Sequence, residues 1–203
     1  MKNIIKNTLI LTVITLVAGV LLGLVYEITK EPIAQAKEKA KMEAYRTVMA
    51  GADTFDAETV LKKDKVNELL TEKDITGCTV DEVVAAKAKG EIIGYVFTIT
   101  TSEGYGGNIQ ISAGIKKDGT VTGMEILSIS ETAGLGMNAD KPKFKSQYAN
   151  KLVDTFVVTK TGAKNDNEID AISGATITSN AVTDAVNLAV VYFNEVLGGS
   201  VNE

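Results

Sequence analysis

The chain has 203 residues, of which 45% are hydrophobic and 23% charged, with a formal net charge of −5. That length holds one modest domain plus an anchor, and the composition excludes wholesale disorder. The acidic balance argues against a nucleic-acid partner. Histidine and tryptophan are absent and Cys78 is the single cysteine. This excludes imidazole bases, His-ligated zinc or haem iron, an internal disulfide and a self-sufficient iron–sulfur cluster. Cys78 reads as a buried structural thiol.

Residues 1–6 form a basic flank containing Lys2 and Lys6, and residues 7–26 carry no charge. Twenty helical residues reach about 30 Å, the hydrocarbon thickness of a bilayer. The run is long for a secretory signal and no A-x-A site follows it closely, which favours a retained anchor over a cleaved leader. Lysines precede the span, and lysines and an arginine follow it, so charge counting alone leaves the orientation open. Residues 27–51 read as a juxtamembrane helix or linker. Pro32 would lie in the first turn of a helix over 33–49, with an apolar stripe of Ile33, Ala36, Ala40, Ala44 and Val48 and Gly51 beyond its end. Residues 54–76 are charged and weakly periodic, and read as short helices and loops.

From residue 79 the pattern turns to strands. Segments 80–87 and 91–101 flank Lys89-Gly90, and 109–116 and 120–130 flank Asp118-Gly119, a hairpin signal. A last helix is capped by Thr178 or Ser179, carries Val182, Ala185, Val186, Ala189, Val190, Phe193 and Leu197 on its apolar face, and stops at Gly198-Gly199. The expected fold class is α+β. A single N-terminal transmembrane helix precedes a domain over 52–199, in which a twisted antiparallel sheet packs on helices, and 200–203 form a tail.

Three glycine-bearing segments stand apart: Gly104-Tyr105-Gly106-Gly107, Glu131-Thr132-Ala133-Gly134-Leu135-Gly136, and the ten residues from Asp170 to Ser179. Each alone has a structural reading as a strand connection, a turn or a capping region. None is a Walker loop or a dinucleotide fingerprint, since the lysine and the glycine spacing those motifs need are missing.

The third segment, Asp170-x-x-Ser173-Gly174-Ala175-Thr176, resembles the attachment motif of the FMN-binding domain family, in which a flavin transferase esterifies FMN phosphate to the final threonine. The second segment resembles that family's Glu-Thr-Pro-Gly-Leu-Gly signature, with Ala133 in place of the proline. The first lies where the family has its Gly-Tyr-x-Gly stretch. The resemblance implies FMN held covalently on Thr176, with Asp170, Ser173, Gly174, Ala175, Thr178 and Ser179 around the phosphate. It places Tyr105, Gly106, Gly107, Glu131, Thr132, Gly134, Leu135 and Gly136 against the flavin. It implies no catalytic residue and no metal site. A phosphodiester at Thr176 would sit near the helix N-terminus, where free N–H groups and the macrodipole favour an anion.

Family members are flavoprotein subunits of membrane-bound, ion-translocating electron-transport complexes. Chain length and overall likeness favour the Rnf-type branch, which links ferredoxin to NAD, over the sodium-pumping NADH:quinone branch. The implied partners are other membrane and peripheral subunits, plus the flavin transferase during maturation. The implied location is the cell (inner) membrane, single-pass, with the FMN domain on the extracytoplasmic side. The readings that compete with this one are a cofactor-free structural subunit and a module binding some other small ligand non-covalently.

Overall fold

A computed structural model of the chain describes residues 1–57 and 75–198. Most of the stretch read as short helices and loops, 58–74, lies outside them. The chain divides into two compact units, Met1–Ala40 and Lys41–Glu203.

The first unit is helical throughout. Helix α1 runs from Lys2 to Val48 without interruption, with Pro32 inside it. This corrects the expectation of a second helix starting at Pro32. A proline removes one i→i−4 hydrogen bond, and here the Lys-, Glu- and Ala-rich sequence that follows has a strong helical propensity that carries the helix through. The large apolar side chains from Ile4 to Ile28 are exposed. Polar side chains within this stretch are satisfied locally: Thr8, Thr12 and Thr15 donate to the carbonyls of Ile4, Thr8 and Leu11 at 2.9, 2.9 and 3.0 Å. Such back-bonding leaves none of these hydroxyl protons facing hydrocarbon. The helix is long and apolar enough to cross a bilayer.

The second unit begins with the last two turns of α1. Its five-stranded sheet is an antiparallel meander of β1 (Thr54–Ala57), β2 (Cys78–Ala88), β3 (Glu91–Thr101), β4 (Ile109–Lys116) and β5 (Val121–Ser128), in that spatial order. The β2–β3 turn uses Lys89 and Gly90, both at positive φ (52° and 87°). That is the backbone a tight hairpin needs. The β4–β5 loop closes with Lys116 N donating to Thr120 O at 2.9 Å, and Gly119 takes φ 86°. Edge strand β1 has no counterpart in the sequence pattern. Four residues, Thr-Phe-Asp-Ala, are too few for an alternation to register, and the strand is defined by its pairing with β2 from Thr54↔Lys87 to Ala57↔Val84.

After β5 come a 3-10 turn (Gly136–Asp140), the short helix α2 (Pro142–Lys145) and a second 3-10 turn (Ser146–Tyr148). Strands β6 (Val157–Thr159) and β7 (Glu168–Asp170) then pair in parallel, and α3 runs from Thr176 to Val196. The sheet is covered on both faces, which explains the run of four buried residues, Val96–Phe97–Thr98–Ile99, in β3. Phe97, Ile99, Ile109, Ile111, Ala113 and Ile115 pack with the apolar face of α3, including Val182, Val186, Ala189 and Phe193. Phe97 meets Tyr192 edge-on at 5.8 Å, and Tyr95 meets Phe193 at 6.1 Å. On the other face Tyr45, Val48 and Met49 pack on Val84, Ala86 and Val96. Tyr45 donates to Glu82 Oε2 at 3.1 Å and pairs with Thr98 Oγ1 at 2.7 Å.

The close seating of the α1 end on this face depends on Gly114. A Cβ there would lie 2.4 Å from Thr122 Oγ1 and 2.6 Å from the Val48 carbonyl oxygen, which itself accepts the Thr122 hydroxyl. Gly114→Ala should therefore lower the denaturation midpoint in detergent solution, with a loss of about 1–3 kcal/mol typical of overpacking. A midpoint equal to that of the parent would show that the helix end does not sit this close to β4.

Candidate functional site

The segment after β7 is built around a tight turn. Ala175 N donates to Ile172 O at 2.9 Å, and Gly174 at the third position takes φ 74°. This is the pattern of a type II turn, which demands a residue tolerant of positive φ at that place. The chain then enters α3 directly at Thr176. Its first intrahelical bond is Ser179 N to Ala175 O, at 3.0 Å. The amides of Thr176, Ile177 and Thr178 precede it and have no acceptor within the helix. Ala175 occupies the cap position with no side-chain cap, and the first turn has no acidic residue. A 21-residue helix thus presents an uncompensated positive end beside Thr176. Thr176 is half-buried, and its hydroxyl has no hydrogen bond among the described residues.

The expected capping by Thr178 or Ser179 does not occur. Both lie inside the first turn and are buried. Ser179 Oγ donates to Ala175 O and accepts from Ile172 N, both at 2.9 Å. A hydroxyl has one proton, so Ser179 has none left for a phosphate oxygen. Asp170 is exposed and also engaged. Its Oδ1 accepts from Ala163 N at 2.6 Å and its amide donates to Gln147 Oε1 at 2.7 Å. Ser173 and Gly174 are exposed and Ala175 is buried.

The second segment packs onto this one, and the first packs onto the second. A Cβ on Gly174 would lie 3.1 Å from Leu135 Cδ2, so Leu135 rests over the turn. Gly106 abuts the Ser130 carbonyl, 2.2 Å from where a Cβ would stand, and Gly104 faces Glu131 Oε1 at 3.1 Å on the same measure. Residues 104–107, 130–136 and 172–176 therefore meet in one patch. The second loop bonds to itself: Leu135 N and Met137 N both donate to Thr132 O, at 3.1 and 3.2 Å, and Asn138 Nδ2 donates to Gly134 O at 2.8 Å. Gly107 and Gly134 have φ of 132° and 79°, and Gly136 is buried against the Glu131 side chain.

Two observations mark the patch as more than a set of turns. Glu131 Oε1 is buried without a hydrogen-bond partner. Such an acceptor is costly unless something donates to it. Among the described residues past Ile33, the exposed large apolar side chains are Tyr105, Leu135, Met137, Leu152, Val157 and Ile177, and four of these six lie on or beside the three segments. Sequence reasoning missed Met137 and Ile177, although each sits within one residue of a motif residue. Gln147 and Asn138, which brace Asp170 and the second loop, carry no sequence signal because their partners are distant or backbone groups. Among the described residues no group of three or more His, Cys, Asp or Glu is placed to hold a metal. An uncapped helix end, a free threonine hydroxyl, exposed apolar side chains and an orphan acceptor suit a ligand with a phosphate at one end and a flat, donor-bearing ring at the other.

Comparison with known proteins agrees with that description. The profile of the FMN-binding domain matches residues 104–191, from the first glycine segment into α3, and that of the RnfG N-terminal region matches 1–48. The G component of the Na(+)-translocating ferredoxin:NAD(+) oxidoreductase complex of Acetobacterium woodii is 35% identical, covering 95% of this chain and 93% of that protein. The chain belongs to the RnfG family. The G component of the proton-translocating ferredoxin:NAD(+) oxidoreductase complex of Clostridium ljungdahlii is 34% identical over 93% of this chain and 91% of its own. That of the ion-translocating oxidoreductase complex of Methanosarcina acetivorans is likewise 34% identical, over 94% and 95%. A crystal structure of Shewanella oneidensis NqrC aligns with 55% of this chain and 57% of that one, at a TM-score of 0.46 and 22% identity. Family membership and the apolar α1 together make this RnfG-family protein membrane-associated.

Cys78 stands outside the site. It is buried, and burial pushes its thiol pKa up to about 11. The thiol is therefore protonated and enclosed at pH 8. Iodoacetamide at that pH should leave the native protein unlabelled and label it fully after denaturation, as read by intact mass. Rapid native labelling would place the thiol at the surface.

Proposed function

We propose that this chain is the FMN-bearing relay subunit of an ion-translocating ferredoxin:NAD oxidoreductase complex, with FMN joined to Thr176 by a phosphoester. The observation that carries this reading is the half-buried, unpartnered Thr176 at the uncapped start of α3, with the second glycine loop packed against the same turn and the first packed against the second. Bound FMN supplies the reversible electron uptake that the chain's own side chains lack.

The residues have distinct tasks. Thr176 Oγ1 is the point of attachment and needs no base in this chain, because the transferase performs that chemistry. The amides of residues 176–178 and the helix dipole stabilise the remaining phosphate charge. Gly174 keeps the approach to Thr176 low. Leu135, Met137, Tyr105 and Ile177 offer apolar surface that excludes water from the ring. The orphan Glu131 Oε1 accepts a hydrogen bond from a ring or sugar donor, and its charge contributes to the flavin potential. Residues 7–26 carry no charge, so the ion path belongs to partner subunits.

The FMN domain is assigned to the extracytoplasmic side of the cell membrane. No flavin pool exists there to refill an emptied site, and a covalent bond prevents the loss.

The decisive measurement is the intact mass of the purified, denatured chain produced beside its flavin transferase, followed by peptide mapping. The expected result is a gain equal to FMN minus water on the peptide containing Thr176, absent in Thr176→Ala, which should fold and insert normally. An unmodified parent would remove the covalent flavin and leave a structural subunit as the reading. Substitutions of Glu131 or Leu135 should shift the midpoint potential with attachment intact. An unchanged redox titration in both would show that the second loop does not line the ring.

A further inference from the structure

Four of the hydroxyls near the start of α3 divide into two kinds. The Thr176 hydroxyl is unpartnered among the described residues and half-buried. Those of Ser179, Thr183 and Tyr148 are buried and committed. Thr183 Oγ1 donates to Ser179 O at 2.8 Å, so its proton is used, and the Tyr148 hydroxyl, 2.7 Å away, donates to it. Burial holds the Tyr148 phenol above its ordinary pKa and hence protonated. Ser179 stands at the top of this column.

Back-bonding to the i−4 carbonyl would satisfy a buried helical serine on its own, as it does for Thr183. Ser179 does more. Its Oγ also accepts from Ile172 N, at 2.9 Å, and Ile172 lies outside the helix. Ile172 is thereby held at both polar groups, since its carbonyl accepts from Ala175 N at 2.9 Å. Ala175 O in turn accepts from both the amide and the hydroxyl of Ser179, at 3.0 and 2.9 Å. The two ends of the Ser173-Gly174 turn are tied to one side chain, three positions beyond the acceptor threonine.

Resting on the FMN reading above, we infer that Ser179 is a positioning residue for flavin attachment: its hydroxyl fixes the 172–175 turn so that Thr176 Oγ1 projects in one direction from the helix end. It touches neither the phosphate nor the reacting oxygen. The step it serves forms one P–O bond at Thr176 Oγ1, with a flavin phosphoanhydride held by the transferase as donor. The bond from phosphorus to the donor's leaving group breaks, the threonine proton is released, and no electrons change hands. Freeing the turn spreads the acceptor over several directions and slows encounter with the held phosphorus.

The test uses the full-length chain with separately induced flavin transferase, following the flavinylated fraction by intact mass over time and the thermal midpoint of the unmodified protein. Ser179→Ala should be modified about tenfold to a hundredfold more slowly, and Ser179→Thr, which keeps the hydroxyl, should restore most of the rate. Val84→Ala, a change in the separate core on the opposite face of the sheet, should lower the thermal midpoint yet retain the parental rate. Amide hydrogen exchange at Ile172 should accelerate in Ser179→Ala, whether or not flavin is present. Parental attachment kinetics in Ser179→Ala, or a slowing matched by Val84→Ala, would overturn the inference. If Ser179→Ala does not fold, Gly174→Ala perturbs the same turn from its exposed side through its φ of 74°, and a parental rate there would overturn it equally. A parent chain that gains no mass beside its transferase would instead defeat the FMN reading, while Ile172 exchange would still report on the tie.

Discussion

Burial of one face of α3 against β3 and β4 is the constraint on which the rest depends. Val182, Val186, Ala189 and Phe193 close the main core over Phe97, Ile99, Ile111 and Ile115. This packing also sets where the helix begins, and so where Thr176 and its free amides point. A helix held by its side chains along most of its length can leave its first turn uncapped, because end stabilisation is a small part of the energy that keeps it folded. The core therefore supports unsatisfied amides at one end of α3 that a shorter, less buried helix would not tolerate.

Glycine-mediated close approach does the complementary work. Gly106 against Ser130 and Gly174 against Leu135 bring three chain-distant segments within contact. These loops are stiffened by their own hydrogen bonds, as in the double acceptance by Thr132 O. A surface built this way is preorganised: it can expose Tyr105, Leu135, Met137 and Ile177 without collapsing to hide them.

What is legible in the sequence follows from signal length. The strands around Lys89-Gly90 and Asp118-Gly119 are readable because turn chemistry and eight- to eleven-residue runs agree. Strands β1, β6 and β7 have three or four residues, too few for a period to emerge, and only long-range pairing defines them. Pro32 looks locally like a helix start, whereas the propensity of its surroundings carries α1 through it. The cluster of motifs is legible through family likeness, but the roles within it are not. Ser179 looks like a cap in sequence, yet it faces inward and backward, because helix phase and the position of Ile172 decide where its hydroxyl goes. Met137 and Ile177 escape notice because an apolar residue beside a motif looks the same in sequence whether it faces a core or a ligand.

The uncapped helix start has one more consequence. The positive field at Thr176 comes from backbone amides, which have no accessible protonation equilibrium, and the chain has no histidine. The thiol of Cys78 and the phenol of Tyr148 are held protonated well beyond neutrality. That part of the electrostatic background at this site is thus independent of pH. A redox group seated there would feel the helix end as a fixed-voltage offset that adds no pH dependence of its own to the potential.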